Sequence, residues 1–459
     1  MATPTDRLVE RCVTATAPTG AVRDRLGRHL LDTVGVALGA GAHADSTPTF
    51  EAAAKTLADG AAGPATVWTT GERRPAGVAA LVNGALAHSL DFDDTHRESS
   101  LHPGAPVVPA ALAVAEREDA SVARLFTAID AGYDVACAVG EAVGPDAHYD
   151  RGFHGTATAG TFGATAAAGI VAGLDREQFA AAFGTNGSQA AGSLQFLANG
   201  AWNKRLHPGL AARRGITAVD LATAGFEGAT EPLAGDDGLL YAYSGDPDPA
   251  AVATVAESHA VTETSLKPYP CCRYTHPALD ALVDIAGTVD TTAVESIRVE
   301  LPQPGVRLTG DPIEAKRRPD NFVDCQFSMP YGAAVALTTG QAGFGAYHGC
   351  LDQLDDPAFR RLLDATEVTT TPAVAEPFPE RWAARVVVAA DEHHERFVDI
   401  ARGDPERPLD WAAVETKVHD VASHLPRATR DHLVAAARDP ASVDALVTPM
   451  RADVQAADD

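Results

Sequence analysis

The sequence predicts a mainly α fold with an α+β part: a large all-helical domain built from both chain ends, and a smaller α+β domain inserted between them. Three observations carry this. Up to about residue 262, apolar residues recur at three- and four-residue spacing, the helical period. Several of those stretches are Ala-rich and nearly uncharged, and a helix apolar all round belongs inside a large core. Beyond residue 262, short β-branched runs alternate with helical ones, an α+β signature, and from Pro408 the helical period returns. A chain of 459 residues is too long for one simple core. The expected boundaries are 1–262 for the helical domain, 263–405 for the α+β domain, and 406–459 for helices returning to the first.

Taken in order, helices are expected at Asp24–Leu38, Pro75–His88, Pro106–Glu116, Val122–Val143, Gly155–Leu174, Arg176–Phe183 and Leu210–Gly225, with one β-like run at Ala65–Gly71. The segment Gly155–Leu174 runs for 20 residues without a charge. It is made mostly of Gly, Ala and Thr rather than Leu, Ile, Val and Phe, so it reads as a buried helix with close neighbours and not as a membrane span. Strands are expected at Val294–Leu301, Glu367–Thr371 and Arg385–Ala390, with helices at Pro277–Ala286 and Met329–Thr339. Asp410–Leu425 and Ala428–Ala437 are the returning helices.

Composition limits the function. There are 62 Asp and Glu against 36 Lys and Arg, a net charge of −26, and only Lys55, Lys204, Lys267, Lys316 and Lys417 are lysines. An acid-rich, lysine-poor surface stays hydrated in concentrated salt, so a halophilic source is expected. It also argues against nucleic acid or an anionic membrane as partner, since both need a basic footprint. The six cysteines show no disulfide spacing, and MATPTDRLVERCV has no basic stretch leading into an apolar one. A cytoplasmic protein is the expectation.

Four segments carry chemistry. His88–Pro103 (HSLDFDDTHRESSLHP) puts His88, Asp91, Asp93, Asp94, Thr95, His96 and His102 where a helix runs into a loop. Carboxylates there can orient imidazoles for general acid/base work, or His and Asp can bind a metal. GFHGT (Gly152–Thr156) sets His154 at a helix N-terminus, where the helix dipole disfavours a second proton. NKRLHPG (Asn203–Gly209) supplies Lys204, Arg205 and His207 beside an uncharged run, and desolvated Lys and Arg bind carboxylates. LKPYPCCRYTHP (Leu266–Pro277) gathers Lys267, Cys271, Cys272, Arg273 and His276 at the expected domain boundary. A Cys–His nucleophile is open there, though a structural thiol fits better. The chain has no GxGxxG, P-loop, HExxH or GxSxG, so neither a nucleotide cofactor nor an acyl-transfer serine is indicated. A cationic, His-rich pocket suits proton abstraction next to a substrate carboxylate.

Together HSLDFDDTH, HPGAPVVPAALA, GFHGTATAGTFG, KRLHPG, KPYPCCRYTHPALDA and FSMPYGAA (Phe327–Ala334) resemble the MmgE/PrpD family, in order and spacing over most of the chain. The family includes 2-methylcitrate dehydratases, cis-aconitate decarboxylases and epimerases of small dicarboxylates. The resemblance implies a large helical domain with a smaller α+β lid, a homodimer, an active site at their junction, and no required metal or organic cofactor. It further implies His102 and His154 as acid/base histidines, Asp91 and Thr95 as site residues, and Lys204 and Lys267 as ligands of substrate carboxylates. His276, Arg205 and Cys272 complete the expected substrate-binding set. Two departures weigh against the decarboxylase branch. Cys272 stands where that branch carries a His, and the spacing from Thr95 to His102 is one residue longer.

The leading expectation is therefore a lyase of the 2-methylcitrate dehydratase type acting on a small polycarboxylate. An isomerase, epimerase or cis-aconitate decarboxylase of the same family is the near alternative. A metal-dependent hydrolase using His88, Asp91, Asp94 and His96 is the alternative from another class, and a non-catalytic helical scaffold is a fourth reading. Within the first segment, Asp93, Asp94 and His96 are read as structural or solvent-facing.

Overall fold

A computed structural model of the chain describes residues 2–257 and 259–455. The fold is mainly α with a small α+β part, as the sequence predicts. It divides into two compact units, Met1–Ser265 with Ala422–Asp459, and Leu266–Val421. The helix Trp411–Val421 thus groups with the second unit, and Arg427–Arg438 and Val443–Gln455 with the first.

The first unit is built around the uncharged helix Gly155–Ala172. It packs against Val122–Ala142, Asn203–Thr223 and Gly104–Arg117. Its small residues let backbones approach: a Cβ on Gly163 would lie 2.6 Å from both Gly132 O and Ala136 Cβ. Two of its threonines bond within the helix, Thr161 Oγ1 donating to Ala157 O at 2.8 Å and Thr165 Oγ1 to Thr161 O at 2.9 Å. Among the described residues no helix is long and apolar enough to cross a membrane.

A second close approach positions the chemistry. Helices Ala76–Ala87 and Asn203–Thr223 meet at Gly84 and Gly209, where a Cβ on Gly209 would stand 2.1 Å from Leu81 O. From the sequence, the latter helix is expected to start at Leu210. In the structure Pro208 lies inside it and the helix begins at Asn203, so Lys204 and His207 ride on a rigid element. Gly209→Ala is expected to destabilise the first unit by roughly 1–3 kcal/mol, as overpacking does. Gly77→Ala, on the opposed helix, would meet only Arg213 Cγ at 3.5 Å. It should be neutral or slightly stabilising in a thermal melt; equal melting temperatures for the two variants would refute the close-approach argument.

The first helix, Pro4–Val13, was not read from the sequence. Its Arg11 lies between two buried carboxylates one turn apart on Val122–Ala142. Nη2 is 2.8 Å from Asp130 Oδ2 and 2.7 Å from Asp134 Oδ2, and Nε donates to Asp134 at 2.8 Å.

The second unit holds a four-stranded sheet in the order Thr366–Thr369, Ser296–Glu300, Ala384–Ala389, His393–Val398. The first pair is parallel and the other two are antiparallel. Helices His276–Ala286 and Met329–Thr339 share its core with Ile297, Val299, Val386 and Val388. Three strands were legible, Val294–Leu301 from its alternation and the other two from their β-branched composition. The fourth, HHERFV, is exposed or half-exposed along its length and shows no buried face to read. The β-like run at Ala65–Gly71 is a two-residue strand, Ala65–Thr66, paired with Arg73–Arg74.

Candidate active site

The first site segment is shaped by three backbone events. Helix Ala76–Ala87 stops with His88 as its C-cap. Asp91 adopts a left-handed conformation (φ 51°), and Thr95–His96 pairs with Thr264–Ser265 before the chain turns into helix Gly104–Arg117 at His102–Pro103. This turn drives Asp93 and Asp94 inward, to 0% and 1% exposure.

Asp94 is the anchor. Its carboxylate accepts from Tyr133 Oη at 2.6 Å and from Gly104 N at 3.0 Å, and lies 3.0 Å from His29 Nδ1. Burial, then the Asp94 carboxylate, pushes the Tyr133 phenol well above its ordinary range, so it remains a donor. The Asp94 backbone carbonyl accepts from His102 Nδ1 at 2.6 Å. A carbonyl cannot donate, so Nδ1 carries the proton.

Asp93 serves two imidazoles. Its Oδ2 lies 2.8 Å from His88 Nδ1 and 3.4 Å from His102 Nδ1, and the two rings are 4.6 Å apart. The Nε2 of His88 is buried and has no hydrogen-bond partner among the described residues. Thr95 Oγ1 is 3.5 Å from His102 Nδ1, and Thr156 Oγ1 accepts from His102 N at 3.1 Å.

His154 caps helix Gly155–Ala172 at its N-terminus, stacked 6.0 Å from His88. Its Nδ1 is 3.0 Å from His207 Nδ1. Burial, followed by the neighbouring His88, His207, Lys204 and His102, holds His154 well below the ordinary imidazole range. The sequence argument assigned that direction to the helix dipole; desolvation is the larger cause. Lys204 Nζ is 3.0 Å from Asp91 Oδ1. Burial lowers its pKa, but the Asp91 carboxylate outweighs this and holds the ammonium above its ordinary value. Tyr149 stands beside this pair, its ring edge-on to His154 at 6.3 Å.

The first unit therefore brings Asp91, Thr95, His102, His154 and Lys204 into one neighbourhood. It adds His88, Asp93, His207 and Tyr149. His207 stood in a segment read from sequence without a role there, and His88 had one only in the metal-dependent alternative. Tyr133 and His29 carried no signal, since both sit mid-helix outside the four segments. Arg205 is not in this neighbourhood: its guanidinium pairs with Asp45 and donates to Ser46 Oγ at 3.0 Å.

The second unit places Lys267, Cys272 and His276 together by itself. All three are buried. His276 Nε2 lies 3.3 Å from Cys271 O, and its Nδ1 has no hydrogen-bond partner among the described residues. Burial, then Arg273, Lys267 and Lys417, holds it well below the ordinary range. Burial pushes the Cys271 thiol up to about 12. A buried thiol of that kind is no nucleophile, which removes the Cys–His reading for Cys271.

The metal set read from sequence does not converge. Asp94 is turned to Tyr133, His29 and Gly104, and His96 Nδ1 is 2.8 Å from Ser99 Oγ, away from His88. Nor are Asp93, Asp94 and His96 solvent-facing; each is at most 1% exposed. His88, Asp93 and His102 do place one ligand-type atom each within 4.8 Å of the others. The 2.8 Å His88 Nδ1–Asp93 contact is hydrogen-bond spacing.

The model of the MmgE/PrpD N-terminal domain matches residues 9–251, and that of the MmgE/PrpD C-terminal domain matches residues 269–439. The chain is 28% identical to human cis-aconitate decarboxylase over 370 residues, 77% of this chain and 73% of that protein. It is 28% identical to the mouse cis-aconitate decarboxylase over 67% of this chain and 64% of that one. The Aspergillus terreus cis-aconitate decarboxylase matches at 25% over 61% and 60%. Since the two domain models together account for most of its length, this chain belongs to the MmgE/PrpD family.

Proposed function

We propose that the chain is a lyase acting on a small polycarboxylate, with His154 as general base and His102 as general acid. One observation carries this reading: the histidines of this neighbourhood have opposite partners. Asp93 gives His88 and His102 a shared anion, whereas His154 has another imidazole. Paired groups whose surroundings differ in this way are the usual mark of an acid–base assignment.

In the proposed reaction Lys204 binds a substrate carboxylate, and its charge stabilises the electron density that builds up when the adjacent C–H proton leaves. Neutral His154 takes the proton. His102, held through Nδ1–H, offers a proton from Nε2 to the departing hydroxyl, and Asp93 compensates the imidazolium before transfer. Asp91 orients Lys204, and Thr95 lies against His102. These groups supply both proton transfers and the cation, so this route calls for no cofactor.

Loss of water, of the 2-methylcitrate dehydratase type, is the reaction proposed, because it needs both a base and an acid. Decarboxylation is the second reading, favoured by the names of the relatives; it needs chiefly a proton donor to carbon. Incubation with 2-methylcitrate and with cis-aconitate, in molar salt, separates the two by alkene formation against release of carbon dioxide. His102→Gln and His154→Gln are each expected to lower kcat by about 10²–10⁴-fold. Full activity in both variants would end the assignment.

A further inference from the structure

His154 and His207 meet through the same nitrogen. Two uncharged imidazoles in Nδ1–Nδ1 contact at 3.0 Å share one hydrogen, so one ring must donate and the other accept. Both residues are buried, at 2% and 5% exposure. Burial, then His88 and Arg214, lowers His207 to about 4, so neither ring is charged at neutral pH.

The surroundings hold the two rings in place. His154 N donates to Gly192 O at 2.9 Å. A Cβ on Gly192 would lie 2.2 Å from Ala157 Cβ and 3.4 Å from His207 Nδ1 and Cε1, so only glycine leaves this space. Phe196 packs edge-on against both rings, at 6.3 Å and 5.7 Å. The Gly84–Gly209 approach fixes the helix that carries His207.

We propose that His207 is a positioning residue: it accepts the Nδ1–H of His154 and so leaves the Nε2 lone pair of His154 as the base. This rests on the reading of His154 as base. A carboxylate in the place of His207 would orient the ring equally well. It would also stabilise the imidazolium, and a base already protonated cannot act. An imidazole orients without adding charge. The other titratable groups around His154 are His88, His102, Lys204 and Tyr149. The cationic forms of His88, His102 and Lys204 oppose protonation of His154, and the Tyr149 phenol stays neutral because burial raises it.

The test is nitrogen-15 imidazole NMR of the free full-length protein, with His154→Gln used for assignment, together with pH profiles on 2-methylcitrate and cis-aconitate. Wild type is expected to show His154 protonated at Nδ1 and bare at Nε2 at pH 7. His207→Gln, whose amide oxygen can accept the same N–H, should keep this tautomer and retain kcat to within about tenfold. His207→Asp should protonate His154 fully and move the acidic limb of kcat/KM upward by about 1–3 pH units. His207→Leu should mix the tautomers and lower kcat by about 10–100-fold with little change in KM. A purely structural His207 would change the melting temperature in these variants but leave the His154 tautomer and the acidic limb alone. That outcome, or a wild-type His154 protonated at Nε2, would overturn the proposal. Failure of the base reading is separate: His154→Gln would then turn over normally, whatever the tautomer.

Discussion

Asp93→Asn is expected to lower kcat by about 10²–10⁴-fold while the protein stays folded. The residue is fully buried, and one of its oxygens faces Nδ1 of both His88 and His102, at 2.8 Å and 3.4 Å. Asparagine keeps the shape but loses the charge and replaces one acceptor by a donor. If the amide nitrogen turned toward His88, that ring would have to switch tautomer. If the oxygen stayed, His102 would lose its compensating anion during proton transfer. Either way the defect lies in the transition state, so kcat should fall with KM nearly constant. A rise in KM alone would place Asp93 in binding instead. Unchanged kinetics would remove it from the site.

The second large effect is on stability. Arg11→Met is expected to cost about 3–5 kcal/mol, because it leaves two buried carboxylates without their cation. Asp134 Oδ1 would keep the amide of Ala260 at 2.6 Å, and Asp130 would keep His259 Nδ1 at 3.0 Å, but neither contact matches a guanidinium. Burial already lifts the Asp134 carboxyl to about 7 against the pull of Arg11. Without Arg11 the Asp134 carboxyl should rise further above the unfolded value of about 4. The sign follows: a raised folded pKa means that the variant is most stable below the unfolded pKa and loses stability as pH climbs through the folded one. Denaturant unfolding at neutral and acidic pH checks this. A loss under about 1 kcal/mol, or a loss that does not shrink in acid, would contradict it. Replacing Arg11, Asp130 and Asp134 together by apolar residues should recover much of the deficit.

The fold was legible where side chains announce their surroundings. GTATAGTFGATAAAGIVAG has no charged residue, so its burial follows from composition. Strand His393–Val398 and helix Pro4–Val13 were not legible. The first has no apolar face, and the second is tied down by an ion pair to carboxylates more than 100 residues away. The start of helix Asn203–Thr223 was missed too: Pro208 lies inside it, where the tertiary close approach at Gly209 outweighs the local preference.

The candidate site was legible as a set of segments and less so as a set of roles. Asp91, Asp93 and Asp94 look alike in DFDD. What distinguishes them is the left-handed turn at Asp91, which aims one at Lys204, one at two histidines and one at Tyr133. No one-dimensional pattern encodes that rotation. His207 was visible beside Lys204, but its role depends on a ring brought from His154, 53 positions earlier.

Incubating the purified full-length protein with a panel of small di- and tricarboxylates in molar salt, with products identified by NMR, bears most directly on the proposed function. At least one substrate should lose water or carbon dioxide, and that turnover should fall by about 10²–10⁴-fold in both His102→Gln and His154→Gln. No turnover of any member of the panel, or turnover that survives both substitutions, would contradict the lyase assignment and its residues.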